Sequence, residues 1–316
     1  MQSKRWTMTL AMSVLLGCGS STPMGADAPA GGANVDEAAL NPRGPMRQKA
    51  AERYVLALVN RERKLHDLPA VVWDETAAQA GRDHARDMAA HGFTAHLGTD
   101  GSVPEQRYTR AGGQGMSMEN AGCLADGKPR PLDPDPSYLP EQLERIQKAF
   151  MDEVPPNDGH RRNILTAWHT SLGVGLAQTQ GLDIPCMAQE FVDDYGDYAK
   201  LPKTATLGSK IRVAGKVNLP AKVAGIGVAR IPFPKPMSAD ALNRTSSYGI
   251  PKPYATYFPR GFKSPIPLDV DERGFRIEVP LSDQGQPGLY EISVWAELPH
   301  TKNLVMISLR TLDVRR

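Results

Sequence analysis

The period of the hydrophobic pattern changes once along this chain, and that change limits how it can fold. Before about residue 200, apolar residues recur at helical spacing. Tyr54, Val55, Leu58 and Val59 mark one such face between residues 47 and 66. After Lys203 the period drops to two: Phe275, Ile277, Val279 and Leu281 alternate with other residues, as do Tyr290, Ile292, Val294 and Ala296, and Val305, Ile307 and Leu309. One period suits a helix face and the other a strand face. The chain therefore divides near Pro202 into a part rich in helices and an all-β part. Its 316 residues fit two domains of the usual ~150 residues. Charge divides at the same place. From Ala205 onward there are 16 Lys and Arg against 9 Asp and Glu, whereas the first 204 residues hold 21 against 26. The basic part suits an anionic surface; scattered solvated charge is the plainer account.

The first 45 residues read as processing and tether rather than fold. Lys4 and Arg5 precede a short apolar run from Met8 to Leu16. Nine residues cannot cross a ~30 Å hydrocarbon core, so the pattern is that of an export leader. The run closes on "LLGC". Leu15, Gly17 and Cys18 resemble the lipobox of bacterial lipoproteins, which implies a lipidated Cys18 as the first mature residue and a leader over 1–18. Gly19 stands where aspartate would resemble a signal for inner-membrane retention. In a diderm cell the expected place is the outer membrane. Residues 19–45 are rich in Gly, Ala, Pro and Ser and read as a disordered tether. With Cys18 taken by lipid, Cys123 and Cys186 remain, and an exported chain with one pair invites a disulfide. Two buried thiols are the alternative. Neither cysteine lies in a Cys-x-x-Cys pair, which argues against a metal site built on both.

The folded part begins near residue 46. A first helix is expected over 47–66, stopped by Pro69, and a second after the N-cap Asp74, ended by Gly92. "DGSVPEQR" reads as a turn entering a short helix, and "AGGQGMSMENAG" as irregular. The five prolines between 129 and 140 mark a loop. Helical spacing resumes over 141–153, "HRRNIL" starts a further short helix, and "LGVGLAQ" and "CMAQEFVDDY" form a strand pair. Beyond Lys203, several short strands with a "GQPG" turn suggest a small β-sandwich. The Pro-rich stretch 232–261 reads as a loop over one end of it.

Six pieces of the first part occur in a familiar order: "ALVNRERKLHDLPAVVWDETAAQAGRDHARDMAAHGFTAH", "DGSVPEQR", "MENAG", "DGHRRNIL", "LGVGLA" and "AQEFV". Together they resemble the CAP superfamily, also called SCP/TAPS, which includes the cysteine-rich secretory proteins and the class 1 pathogenesis-related proteins of plants. The resemblance covers about residues 48–195. It implies an α+β fold with a CAP-type α-β-α sandwich over 46–202; the strand pattern beyond it, which the resemblance does not cover, suggests a small all-β sandwich-like domain over 203–316. The resemblance also implies a cleft holding two histidines and two acids. His96 matches the first histidine, although Thr94 and Ala95 replace the aromatic-Ser pair that usually precedes it; His91 is the weaker candidate. Glu119 matches the acid of the "EN" pair. Glu153 matches the acid of a Trp-x-x-Glu pattern in which Phe150 replaces the tryptophan. His160 matches the histidine of "GH".

Two imidazoles and two carboxylates suit zinc or another divalent metal. His96 and His160 are the candidate ligands, with Glu119 and Glu153 as further ligands or as hydrogen-bonding partners of the rings. A purely structural hydrogen-bond cluster is the plain alternative. Asn157 and Asp158 are cap candidates for the helix starting at His160. Its free amides could hold an anion, while Arg161 and Arg162 are expected in solvent or in local ion pairs. Asn163 is expected to fix backbone. No Gly-x-Ser-x-Gly, His-Glu-x-x-His or phosphate-binding loop occurs. The family resemblance implies an exported, membrane-tethered binding protein for a lipid, a peptide or a cell-envelope component, with no nucleic-acid partner expected. A metal-dependent hydrolase, such as a peptidase using Glu119 or Glu153 as base, is a second reading. A structural envelope protein docking through its basic C-terminal domain is a third.

Overall fold

The computed structural model describes residues 36–316 apart from 246, 273 and 300. The leader, Cys18 and the tether up to residue 35 lie outside the described residues. The last ten residues of the expected tether, 36–45, form turns, and Leu40 packs against the first helix's core. Among the described residues no helix is long and apolar enough to cross a membrane.

The first domain is a three-layer α-β-α sandwich. Its central sheet has the order β1-β3-β4-β2, with β1 (Val72–Trp73), β2 (Met116–Gly122), β3 (Ser171–Ala177) and β4 (Cys186–Asp193). β1 and β3 are parallel; the other neighbours are antiparallel. "LGVGLA" explains how the layers stack. Leu172, Val174 and Leu176 point to one face and meet α1 (Gln48–Leu65) and α4 (Pro140–Met151) through Tyr54, Val55, Leu58, Leu143 and Phe150. The alternating glycines point to the other face. A Cβ at Gly173 or Gly175 would overlap the backbone of α2 (Glu75–His91), so glycine is what lets this helix lie directly on the strand. Two short helices, α3 (Pro104–Ala111) and α5 (Gly159–Ile164), complete the domain. Fully buried Arg63 ties the end of α1 to the end of α5, its guanidinium donating to the carbonyls of Pro69, Ile164 and Thr166 at 2.8 Å each.

The segment expected to be irregular contains strand β2. Its alternation is masked in the sequence because the buried side chains Ser117, Glu119 and Asn120 are polar. The disulfide between Cys123 and Cys186 joins the end of β2 to the start of β4 across a sequence separation of 63 residues. Closing a loop of that size is worth about 4 kcal/mol in the chain-entropy description.

The second domain is a β-sandwich. One sheet has the order β10-β11-β7-β5: β5 (Gly196–Tyr198), β7 (Lys210–Val217), β10 (Asp269–Asp271) and β11 (Gly274–Pro280). The other has the order β6-β13-β12-β8-β9: β6 (Thr204–Thr206), β8 (Lys222–Ile231), β9 (Ala255–Tyr257), β12 (Gly288–Glu297) and β13 (Val305–Arg315). The alternating residues read from the sequence interleave between the sheets: Ile211, Val213, Phe275, Ile277 and Val279 meet Tyr290, Ile292, Val294 and Ile307. β5 precedes the boundary expected near Pro202, yet it pairs with β7. β8 carries Gly225 and Gly227 inside the strand, which thin its apolar pattern.

The Pro-rich stretch does not close one end of the sandwich. Residues 232–254 cross to the first domain, carrying a short helix α6 (Ala239–Leu242). Leu242 is fully buried there among Ala85, Met88, Phe93, Ala95 and Cys186. The small side chains on that face of α2 leave room for a leucine supplied from elsewhere in the chain.

Candidate functional site

The four expected site residues come from four elements and meet as two His–Glu pairs. His96 lies in the loop that follows α2. Asp74 starts that helix by accepting the amide of Ala77 at 2.9 Å. Gly92 ends it in the left-handed region, φ 72°, where a side chain would be strained and would also press on Lys128. The chain then turns, buries Phe93 and brings His96 over β2. There His96 Nδ1 is 3.0 Å from Glu119 Oε1. His160 stands on the first turn of α5, its Nδ1 2.5 Å from Glu153 Oε1. The two imidazole rings are 6.4 Å apart between centroids and tilted by 48°. Phe150, in the place of the expected tryptophan, lies against the His160 ring at 4.5 Å.

The pairs differ in their surroundings. The Glu119 side chain is fully buried, and its Oε2 accepts the guanidinium of buried Arg107 at 2.7 Å. Arg107 also donates to the carbonyls of His96 at 3.0 Å and Ser102 at 2.9 Å, so one side chain ties the His96 loop to its acid. Burial alone would push the Glu119 carboxyl up, but nearby positive groups outweigh it and hold it well below the usual carboxylate range. His84 is 3.6 Å from Glu119. It is itself pushed down to about 4, first by burial and then by Arg107, so it is neutral at neutral pH. Arg107 is the permanent positive charge in contact with Glu119. Glu190, opposite Glu119 in the β2–β4 register, is pushed well up by burial and by the charge of Glu119. Ser117 donates to its Oε2 at 2.8 Å.

The second pair is half-buried and is held by backbone. Glu153 Oε2 accepts the amide of His160 at 2.8 Å and that of Arg161 at 3.4 Å. The anion expected at this helix start is thus the chain's own Glu153. It replaces the expected caps: Asp158, at the N-cap, makes no capping bond and instead pairs with Arg162 at 3.1 Å. Arg161 donates to the Met151 carbonyl at 2.9 Å. Both arginines are therefore occupied locally. Asn163 is buried and fixes backbone, donating to Met118 O at 3.3 Å and to Asn120 Oδ1 at 3.0 Å. Its Oδ1 faces His169 Nε2 at 2.9 Å, and His169 Nδ1 is 2.5 Å from Asp193. His91 lies outside the cleft, exposed, with its Nδ1 on the Asp87 carbonyl at 2.9 Å.

An ionised carboxylate only accepts, so Glu119 requires the proton of His96 on Nδ1. Glu153 accepts two backbone amides at one oxygen and faces His160 Nδ1 with the other, which places that proton likewise. Each ring then presents Nε2 as a lone pair. This is the form in which imidazole ligates a metal or accepts a hydrogen bond. As a donor set for a divalent ion the site offers two imidazoles. The glutamate oxygens already have protein partners, and among the described residues no three His, Cys, Asp or Glu side chains are grouped to hold a metal. That falls short of the three protein ligands of a catalytic zinc.

Residues 56–189 match the model of the Cysteine-rich secretory protein family, CAP. That stretch is similar to a CAP domain. The match spans all four cleft residues. Over 136 residues the chain is 28% identical to the uncharacterized protein YkwD of Bacillus subtilis (strain 168), a stretch that covers 43% of this chain and 46% of that protein. The chain thus spans about half the length of this curated relative. Among solved structures, it is similar to an extracellular protein containing an SCP domain from Bacillus anthracis, at 20% identity and a TM-score of 0.36, over 46% of this chain and 41% of that one. It is also similar to an outer surface protein from Borrelia burgdorferi, at 15% identity and a TM-score of 0.36, over 47% of this chain and 96% of that one. The first domain also contains buried groups that the sequence pattern did not mark: Arg107, His84, Glu190 and His169. No spacing marks a buried arginine in a short polar helix, and a lone histidine on a helix reads as surface.

Proposed function

We propose that this is an exported binding protein whose CAP cleft captures a lipid, a peptide or another cell-envelope component through His96 and His160. One observation carries the choice of binding over hydrolysis: both glutamates already spend their oxygens on protein partners. A hydrolase using Glu119 or Glu153 as general base needs a carboxylate within reach of a water. Glu119 is buried beneath Arg107, and Glu153, although partly exposed, already accepts the α5 amides with one oxygen and faces His160 Nδ1 with the other. What remains for a ligand is a pair of oriented imidazoles, one of them packed on buried Phe150. A divalent metal held by the two imidazoles would take its other ligands from water or from the captured molecule, and when bound it would supply an electrophilic anchor for an oxygen or nitrogen of that molecule. The leader and Cys18 support attachment to the envelope by lipid, in the outer membrane of a diderm cell.

Two experiments test this reading. The purified chain is incubated with vesicles of extracted envelope lipids and with an envelope peptide digest, and captured compounds are identified by mass spectrometry. Capture by the wild type and its loss in the double variant His96→Ala/His160→Ala is the expected result. Equal capture by both proteins refutes the cleft. Product formation that disappears in Glu119→Gln or Glu153→Gln would favour the hydrolase instead. For the anchor, the Cys18→Ser chain should leave the membrane fraction, and its persistence there would contradict lipidation.

A further inference from the structure

The loop that carries His96 is held from outside the CAP domain. Three contacts with the strap 232–254 bracket it. Before His96, the Asn243 side chain accepts the amide of Thr94 at 3.0 Å and donates to the carbonyl of Gly92 at 3.2 Å. After His96, the amide of Met237 donates to the carbonyl of Thr99 at 2.8 Å. Next to that bond, Lys235 backbone presses so closely on Gly101, φ 78°, that any Cβ there would overlap it. Beneath the loop, Leu242 fills the space left by Ala85, Ala95 and Ala188. Further along the strap, Tyr248 donates to Glu105, two residues before the Arg107 that holds Glu119 and the His96 carbonyl. Among the described residues the other pair has no such support. Glu153 and His160 are fixed by α4, α5 and Arg63, all within the first domain.

We infer that the β-sandwich domain is a working part of the cleft: its strap, through Asn243 and Leu242, positions His96 against Glu119, while His160 is positioned without it. Asn243 is a positioning residue. It touches the backbone on the His96 side of the cleft and no other cleft residue, and it acts by holding the loop in the register that brings Nδ1 to Glu119. The inference does not depend on what the cleft captures.

The test is side-chain nitrogen NMR of the full chain at neutral pH, which reports the tautomer of each histidine separately. In Asn243→Ala the His96 signals should lose the single Nδ1–H signature and shift or broaden toward a mixture, while the His160 signals stay where they are in the wild type. Leu242→Ala should give the same selective change by a different route. Leu242→Met, which keeps the volume, should restore the wild-type His96 signals. An unchanged His96 in both Asn243→Ala and Leu242→Ala would overturn the inference. Equal changes at His96 and His160 would also overturn it, because they would show loosening of the whole fold. If Leu242→Ala does not fold, Asn243→Ala decides alone, since its polar side chain lies at the edge of the contact.

Discussion

The two His–Glu pairs of this cleft use one geometry in opposite environments. In each, a glutamate oxygen lies at hydrogen-bond distance from Nδ1, which favours the proton there and leaves Nε2 as the acceptor. The Glu119 side chain is fully buried and balanced by a buried guanidinium. The Glu153 side chain keeps 23% of its surface exposed and is satisfied by two backbone amides at a helix start. A buried ion pair is fragile because the loss of either partner strands a charge in low dielectric. A carboxylate on helix amides at the surface can fall back on water. One pair is therefore held by buried tertiary contacts, and the loop of its histidine also touches the strap 232–254, whereas the other pair is held by local backbone and is partly exposed.

This contrast sets the size of each expected effect. The largest belongs to Arg107→Leu, which removes the charge that balances Glu119. Urea unfolding should show a loss of about 3–5 kcal/mol, and a loss under about 1 kcal/mol would mean that Glu119 is not a buried anion. Next is Cys123→Ala/Cys186→Ala, which frees the strand ends beside the His96 loop. About 2–4 kcal/mol should be lost in the same measurement. In the exposed pair, Glu153→Gln weakens a helix cap and should cost about 1 kcal/mol. A cost equal to that of Arg107→Leu would erase the distinction between the pairs. Smallest is Arg162→Ala, which breaks a surface pair with Asp158 and should fall within ~0.5 kcal/mol of wild type.

Much of this molecule was legible in its residues, and the omissions have a common cause. Helices α1, α2, α4 and α5 follow from apolar spacing and caps, and β11, β12 and β13 from strict alternation. His96, Glu119, Glu153 and His160, which the structure brings together as two pairs, each sit in a motif that resembles the family. The disulfide followed from counting cysteines. β2 was hidden because its inward side chains are polar and their partners lie on distant strands. Arg107 looked like any surface arginine, since burial of a charge depends on partners that the local sequence does not name. The strap was misplaced for the same reason: prolines announce a loop but not what the loop will cover. Only the alanines of α2, too small to fill their own layer, hinted that another segment would pack there.

The glutamates orient the histidines and leave both Nε2 atoms available to a ligand. Calorimetric titration of zinc into the purified chain tests this most directly, with the four single variants His96→Ala, His160→Ala, Glu119→Gln and Glu153→Gln compared with wild type. One zinc per wild-type chain is expected, with loss of binding in either histidine variant and a weakening of about 10–100-fold in either glutamate variant, as for groups that orient ligands without being ligands. Zinc binding that survives removal of either histidine, or that is abolished outright by Glu119→Gln, would contradict this.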